Sequence, residues 1–288
     1  MYYYGARYYD PRISIFVSVD PLAEKTMTPY QYVNNNPIML VDPTGMSAID
    51  GDYYNREGKW LGSDGKNDNK AYVVDEGSYT PNEKGTGYTI QNSGVNELSA
   101  GHDEILAFAS VIHQESGGQM EESMAIGNVT MNFLTSGGSS QLKTLEDVTM
   151  YKNSFARGAT QKAYSTFMGL DTAAKNSKFG ISSAINAVGY AQGLSGFKDY
   201  SDGANTWDGL DLINSKWSNN HRNYSWSSGS KSLLTEYKNR FKGGVDVSKF
   251  NYKSKGYEIE ATKIINKTLY TRLTTGRGER KTGGSKFQ

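Results

Sequence analysis

Apolar residues fall into a helical rhythm from Asp103 onward. In DEILAFASVIHQE, Ile105, Phe108, Ala109 and Ile112 share one face behind an acidic first turn, which predicts an amphipathic helix capped near Asp103. A second predicted helix runs through MEESMAIGNVTMNFL, between the breaks Ser116-Gly117-Gly118 and Ser136-Gly137-Gly138. Further helices are expected over 155–168 (FARGATQKAYSTFM), over 180–194 (GISSAINAVGYAQGL) and through SLLTEYKNRF. The stretch YEIEATKIINKTLYTRL fits a strand or a helix. Upstream the pattern is that of short strands: an aromatic run and an Arg-Glu-Gly turn, a strand around Trp60, a polar loop, then Ala71 to Val74. Before these, Asn36-Pro37 and Asp42-Pro43-Thr44-Gly45 are turn signals framing the short apolar run Ile38 to Val41.

These shifts divide the chain into four segments: 1–46, of short hairpins; 47–101, a small β-hairpin unit and a Gly- and Asn-rich linker; 102–228, mostly helical; and 229–288. Charge separates the last from the rest, since residues 229–288 hold fourteen Lys or Arg against five Asp or Glu in a chain of net charge +1. Such a tail reads as a contact for nucleic acid or another anionic polymer, or as a solvated face. The 288 residues suffice for one large domain or two modest ones. With 32 glycines, 21 tyrosines and a mean hydropathy of -0.63, a polar, turn-rich protein is expected. No run of about 18 apolar residues predicts a membrane span, and no secretory signal pattern is present. The absence of cysteine excludes disulfides and thiolate chemistry, and three histidines argue against a histidine-rich metal site. No metal or cofactor is expected.

The opening stretch carries the first resemblance. YYYGARYYDPR, followed by SVDPLAEKTMTPYQYVNNNPIMLVDPTG, resembles the end of the Rhs repeat-associated core, the closing part of a YD-repeat shell in polymorphic toxins. The tyrosine cluster, the first Asp-Pro, the YxYVxNNP run and the final DPxG occur in order over about residues 2–46. The resemblance implies β-hairpins that stack tyrosines, a boundary near Met46, and a variable toxin domain after it. It also implies aspartyl autoproteolysis in a longer parent, because Asp20-Pro21-Leu22-Ala23, eighteen residues, and Asp42-Pro43-Thr44-Gly45 reproduce the spacing of two DPxG motifs. Asp20 and Asp42 could then share a proton and act as acid and base on the peptide bond after Met46. Ala23 and Met46 depart from the family's glycine and leucine, and both aspartates could equally cap turns before proline.

Glu115 is the candidate for chemistry in the third segment. It ends an apolar helix, where helix carbonyls and apolar neighbours favour its neutral form, as a general acid requires. Taken alone, a glutamate at a helix end is more often a surface residue. However, ILAFASVIHQESGGQMEESMAIGNVTMNFL resembles the opening of the spore-cortex-lytic and cell-wall hydrolase family, and the catalytic acid, glycine and asparagine of that pattern fall on Glu115, Gly117 and Asn132. YKNSFARGA looks like the family's aromatic segment, centred on Phe155. AINAVGYAQGLSGFKDYSDGANTWDG looks like its closing helix and loop, matched at Asp199, Gly203, Ala204 and Trp207. Ser116 and Phe133 stand where the family has alanine and arginine. The resemblance implies an α+β chain in which the N-terminal hairpins precede a mainly α-helical, lysozyme-like domain. That domain would cut the glycan strands of peptidoglycan by hydrolysis or lytic transglycosylation, with Glu115 as acid and base.

Asn132, Phe155, Tyr200 and Trp207 are the expected substrate contacts. Trp207, Tyr200 and Tyr190 could stack on sugar rings or belong to a core, and Asp199, Asp202 and Asp208 suit turn capping. His113 points away from Glu115 on the helix. The expected function is therefore a secreted or delivered antibacterial toxin acting in the periplasm, with peptidoglycan, a cognate immunity protein and a secretion apparatus reached through the shell as partners, and with no nucleic acid. The rivals are a nuclease toxin, favoured by the basic tail, and a module that binds glycan without cutting it.

Overall fold

A computed structural model describes residues 1–3, 7–19, 30, 52–63, 68–82, 88–91, 93–138, 142–150, 156, 160–209, 224–241 and 257–273. The candidates Asp20, Asp42 and Phe155 lie outside these residues, as does His221. The chain divides into two compact units, Met1–Asp103 and Glu104–Gln288.

The first unit is built from strands. β1 (Tyr2–Tyr3), β2 (Tyr8–Asp10) and β3 (Ile15–Phe16) pair antiparallel in that order. Tyr3 and Tyr8 place their rings 4.8 Å apart, and the buried Arg7 guanidinium lies 3.7 Å from the centre of the Phe16 ring. A second sheet joins β4 (Asp52–Asn55), β5 (Trp60–Ser63), β6 (Ala71–Val74) and β9 (Val95–Glu97) in the order β5-β4-β6-β9, with β4 and β6 parallel. β7 (Tyr79–Pro81) and β8 (Tyr88–Ile90) form a separate pair. The stretch expected as a linker thus contributes three strands. His102 closes this unit: its Nδ1 lies 2.5 Å from Asp52 Oδ2 and 3.0 Å from the Tyr54 hydroxyl.

The second unit starts within α1 (His102–Glu115), whose residues Ile105 to Ile112 are all buried. Against it stand α2 (Met120–Thr135) and α6 (Gly180–Ala191), with α3 (Leu145–Met150), α4 (Gln161–Met168) and α5 (Thr172–Asn176) between them in sequence. Two glycines allow close helix approach. A Cβ on Gly180 would meet Ala109 O at 2.7 Å, and one on Gly127 would meet Ser183 O at 2.9 Å and Ala187 Cβ at 3.2 Å. Backbone oxygens of a packed helix cannot swing aside. Gly127→Val is therefore expected to lower stability by about 2 kcal/mol, read as a lower urea midpoint with unchanged slope.

The remaining strands form one sheet, β10 (Thr206–Asp208), β13 (Thr268–Leu273), β12 (Tyr257–Ile265) and β11 (Tyr224–Trp226), in that order. β12 and β13 are the ambiguous stretch of the sequence. Their Ile and Thr content suits strands, and a two-residue turn with Asn266 at φ 54° closes the hairpin. Alternation sorts the two faces. Ile259, Ala261, Leu269 and Leu273 pack on Leu234 and Tyr237 of α7 (Lys231–Arg240), while Lys263 and Tyr270 reach α2 on the other side. The sheet is thus covered on both faces by helices.

This architecture overturns the expectation of a mainly α-helical, lysozyme-like domain. The chain is α+β, with four sheets and 39% helix among the described residues. The helices that the 3.6-residue period predicts are present, the one expected over 155–168 only as Gln161–Met168, but the sheet is assembled from strands on either side of residue 228. Two of those strands, β10 and β11, have three residues each and are too short to show a period of their own.

Candidate functional site

Glu115 is the last residue of α1 and is half-buried. Val111, one turn earlier, lies on the same helix face and is 2% exposed, in a small apolar cluster with Ala156 on which Trp207 of β10 packs. Glu115 thus follows, one turn later, a residue of the cluster on which Trp207 packs. Trp207 is paired across the sheet with Tyr270, whose hydroxyl donates to Glu122 O at 3.2 Å. One face of the β10–β13 pair thus contacts α1 and α2 together. His113 turns elsewhere: its ring meets Phe167 of α4 at 5.5 Å, and burial together with nearby Lys178 holds its pKa below the usual histidine value.

The turn after Glu115 is fixed by side chains. The Ser116 hydroxyl lies 2.7 Å from that of Ser123 and accepts from the Gly118 amide at 2.9 Å. The Gly117 amide donates to Glu122 Oε2 at 2.9 Å. Asn266 Nδ2 reaches the same oxygen at 3.1 Å, and Thr268 Oγ1 donates to Oε1 at 2.8 Å. Glu122 is 5% exposed. A Cβ on Gly117 would stand 2.7 Å from Glu122 Oε2, so the glycine is required by space, to admit the carboxylate. Nearby, Lys263 Nζ pairs with Glu121 at 2.9 Å, and the Tyr270 hydroxyl is pushed far above its usual pKa by burial and by the carboxylates of Glu122 and Glu121.

The other expected contacts belong to a tied loop. Asp199 accepts from Ser201 N (2.7 Å), Ser201 Oγ (2.6 Å) and Gly203 N (2.8 Å), the turn-capping role. Asn132 Nδ2 lies 3.0 Å from Asp199 Oδ2, 3.3 Å from Ser201 Oγ and 2.9 Å from Ala204 O, so its two amide hydrogens are engaged within the protein. Tyr200 is half-buried, its amide donating to Asn128 Oδ1 at 3.1 Å and its carbonyl accepting from Lys263 Nζ at 3.0 Å. Lys198 Nζ stands 4.4 Å from the centre of the Tyr200 ring.

The structure therefore places Trp207 on the cluster that holds Val111, one turn before Glu115. Asn132 and Tyr200 sit where α2 meets the 199–204 loop. Asn132→Ala is expected to lower stability by about 2 kcal/mol, and Asn132→Asp by more, because it sets a second carboxylate against Asp199; urea denaturation of the two variants checks both.

Glu122, Asn266 and Thr268 escape sequence reasoning. An acidic residue in a helix's first turn reads as a solvated partner of the helix dipole, and its hydroxyl and amide donors lie far along the chain. The double glycine beside Glu115 is the one local signal of a close approach. Among the described residues, no group of three His, Cys, Asp or Glu side chains is arranged to hold a metal, and no helix is long and apolar enough to cross a membrane.

No family model and no solved structure matches the chain. Short similarities connect it to known proteins. It is 43% identical over 51 residues to toxin subunit YenC2 of Yersinia entomophaga, a match covering 17% of this chain and 5% of that protein. It is 46% identical over 50 residues to the tRNA nuclease WapA of Bacillus subtilis, covering 16% of this chain and 2% of WapA. It is 43% identical over 49 residues to salivary gland surface protein 1 of Aedes aegypti, covering 17% of this chain and 1% of that protein. The chain spans only a few percent of the length of these relatives. The likeness is to an Rhs-like toxin over about a sixth of the chain.

Proposed function

We propose that the chain is part of an Rhs-type antibacterial toxin whose second unit cleaves the glycan strands of peptidoglycan, with Glu115 as the acid and base. One observation carries the reading: half-buried Glu115 ends a buried helix one turn after Val111, which belongs to the apolar cluster on which Trp207 packs. The resemblance of the sequence around Glu115 and through 199–207 to the cell-wall hydrolase pattern supports it, and the similarity to a toxin subunit supports delivery to a target cell.

The chemistry follows from that placement. A neutral Glu115 carboxyl gives its proton to the glycosidic oxygen as the C1–O bond breaks. The resulting carboxylate then removes a proton from water attacking C1, or from the muramic acid 6-hydroxyl that closes an anhydro ring; either course returns Glu115 to its neutral state. Trp207 offers an apolar face for the C–H side of a sugar ring. In the longer parent, Asp20 and Asp42 are proposed to release the toxin after Met46, and sequencing a released fragment checks this: its first residue should be Ser47.

A nuclease reading is favoured by the similarity to WapA. The two part in one experiment, in which the full chain is incubated separately with purified Gram-negative sacculi, with tRNA and with plasmid DNA. The proposal predicts clearing of sacculi and intact nucleic acid. Intact sacculi with degraded tRNA or DNA would transfer the function to the nuclease reading.

A further inference from the structure

We propose that Glu122 is a positioning residue for Glu115, an inference that rests on the reading of Glu115 as the reacting acid. Its carboxylate sits in the first turn of α2, buried, and joins two parts of the chain that sequence separates by more than a hundred residues. One part is the turn Ser116–Gly118, which sets the direction in which α1 ends. The other is the Asn266–Thr268 tip of the β12–β13 hairpin.

Three neutral donors hold the carboxylate: the Gly117 amide, the Asn266 amide and the Thr268 hydroxyl. A charged oxygen accepting such bonds holds them more strongly than a neutral one would. One further contact ties the backbone of Glu122 to the sheet. The backbone carbonyl of Glu122 accepts from Tyr270, and Tyr270 is the cross-strand partner of Trp207. Glu122 therefore sits between the turn that follows the acid and the strand pair that carries the indole. Moving its carboxylate would release the turn at Gly117 and the hairpin tip at Asn266 and Thr268.

Gly117 provides independent support. Its backbone dihedrals do not demand glycine, since its φ is not among the positive ones, whereas any Cβ would strike the Glu122 carboxylate at 2.7 Å. The side chain it would strike is flexible in general but is held here by two donors from the hairpin. The glycine beside the acid is thus explained by the carboxylate that approaches it.

The experiment compares full-length variants on purified Gram-negative sacculi, well below each variant's unfolding midpoint. Glu122→Gln is expected to lower turnover at saturating sacculi about 100-fold, the scale of an ångström-sized misplacement of a reacting group, with the apparent KM unchanged. Gly117→Ala should reproduce that split by displacing the carboxylate. Thr268→Val should show a smaller loss of turnover, and Thr268→Ser, which keeps the hydroxyl, should restore it. Gly127→Val, destabilised at the α2–α6 packing and not at the turn, should retain its turnover. If Glu122→Gln and Thr268→Val both turn over at the rate of the parent protein while Glu115→Gln is inactive, the positioning role is wrong and the reading of Glu115 stands. If Glu115→Gln itself remains active, the assignment of the acid fails, and the positioning role with it. If Gly127→Val loses turnover as Glu122→Gln does, the loss reports stability and the positioning role is overturned.

Discussion

Glu115→Gln is expected to fold as the parent protein does and to release no measurable soluble glycan from sacculi, a fall in rate of about 100-fold to 10,000-fold. The amide has the shape of the carboxyl and leaves Trp207 on Val111, so packing at the end of α1 is preserved. What it lacks is a transferable proton. The glycosidic oxygen would then depart as an alkoxide in water, and no other group in the proposed chemistry supplies that proton. The check pairs near-ultraviolet circular dichroism, which should be unchanged, with the rate of muropeptide release. A variant that clears sacculi at the parental rate would remove Glu115 from the reaction.

Ending the chain after residue 228 is expected to abolish the cooperative fold of the second unit. The lost residues include α7 and both central strands, so β10 and β11 would face each other across a missing hairpin. Buried Tyr270 would go, and so would Ile259, Leu269 and Leu273 with their α7 partners Leu234 and Tyr237. Each fully buried side chain of that size contributes roughly 1.5–3 kcal/mol, and six together approach the total stability of an ordinary domain, about 5–15 kcal/mol. Glu122 would also lose Asn266 and Thr268 and remain buried with one donor fewer on each oxygen. Urea denaturation of residues 1–228 should lack the second unit's sigmoidal transition, leaving a broad, shallow loss of its helical signal. A sharp transition at the parental midpoint would show that the hairpin is an appendage.

Sequence made the helical part of this unit readable because its period is long and regular. Ile105, Phe108, Ala109 and Ile112 declare α1, and Gly117 and Gly118 declare its end. Glu115 was visible for the same reason, as the first carboxylate after that apolar face. The role of Asn132 was not. Its position at the end of α2 is local information, but its partners Asp199, Ser201 and Ala204 lie 67 to 72 residues away. The β12–β13 hairpin was ambiguous because its bulge between Ala261 and Lys263 interrupts the alternation on which strand assignment depends. Charge misled as well. The basic excess of residues 229–288 drew attention to a tail, whereas Leu269 and Tyr270 within that segment are fully buried core residues.

In the first unit the reading of strands at Tyr53, Trp60 and Ala71 coincides with β4, β5 and β6, yet the parallel pairing of β4 with β6 follows from no local signal. The turn at Arg56 and Glu57 joins β4 to β5 as expected of a hairpin. The link from β5 to β6 then has to cross over, and crossovers are set by which faces need burial, here Tyr54, Leu61 and Val73.

The central claim, that Glu115 drives cleavage of the glycan strand, is tested most directly by mass analysis of the soluble fragments released from Gram-negative sacculi by the full-length protein. The account predicts disaccharide-peptides cut between N-acetylmuramic acid and N-acetylglucosamine, ending in a reducing sugar after hydrolysis or in a 1,6-anhydro ring after transglycosylation. Fragments cut only within the peptide stems, or no soluble fragment at all, would contradict it.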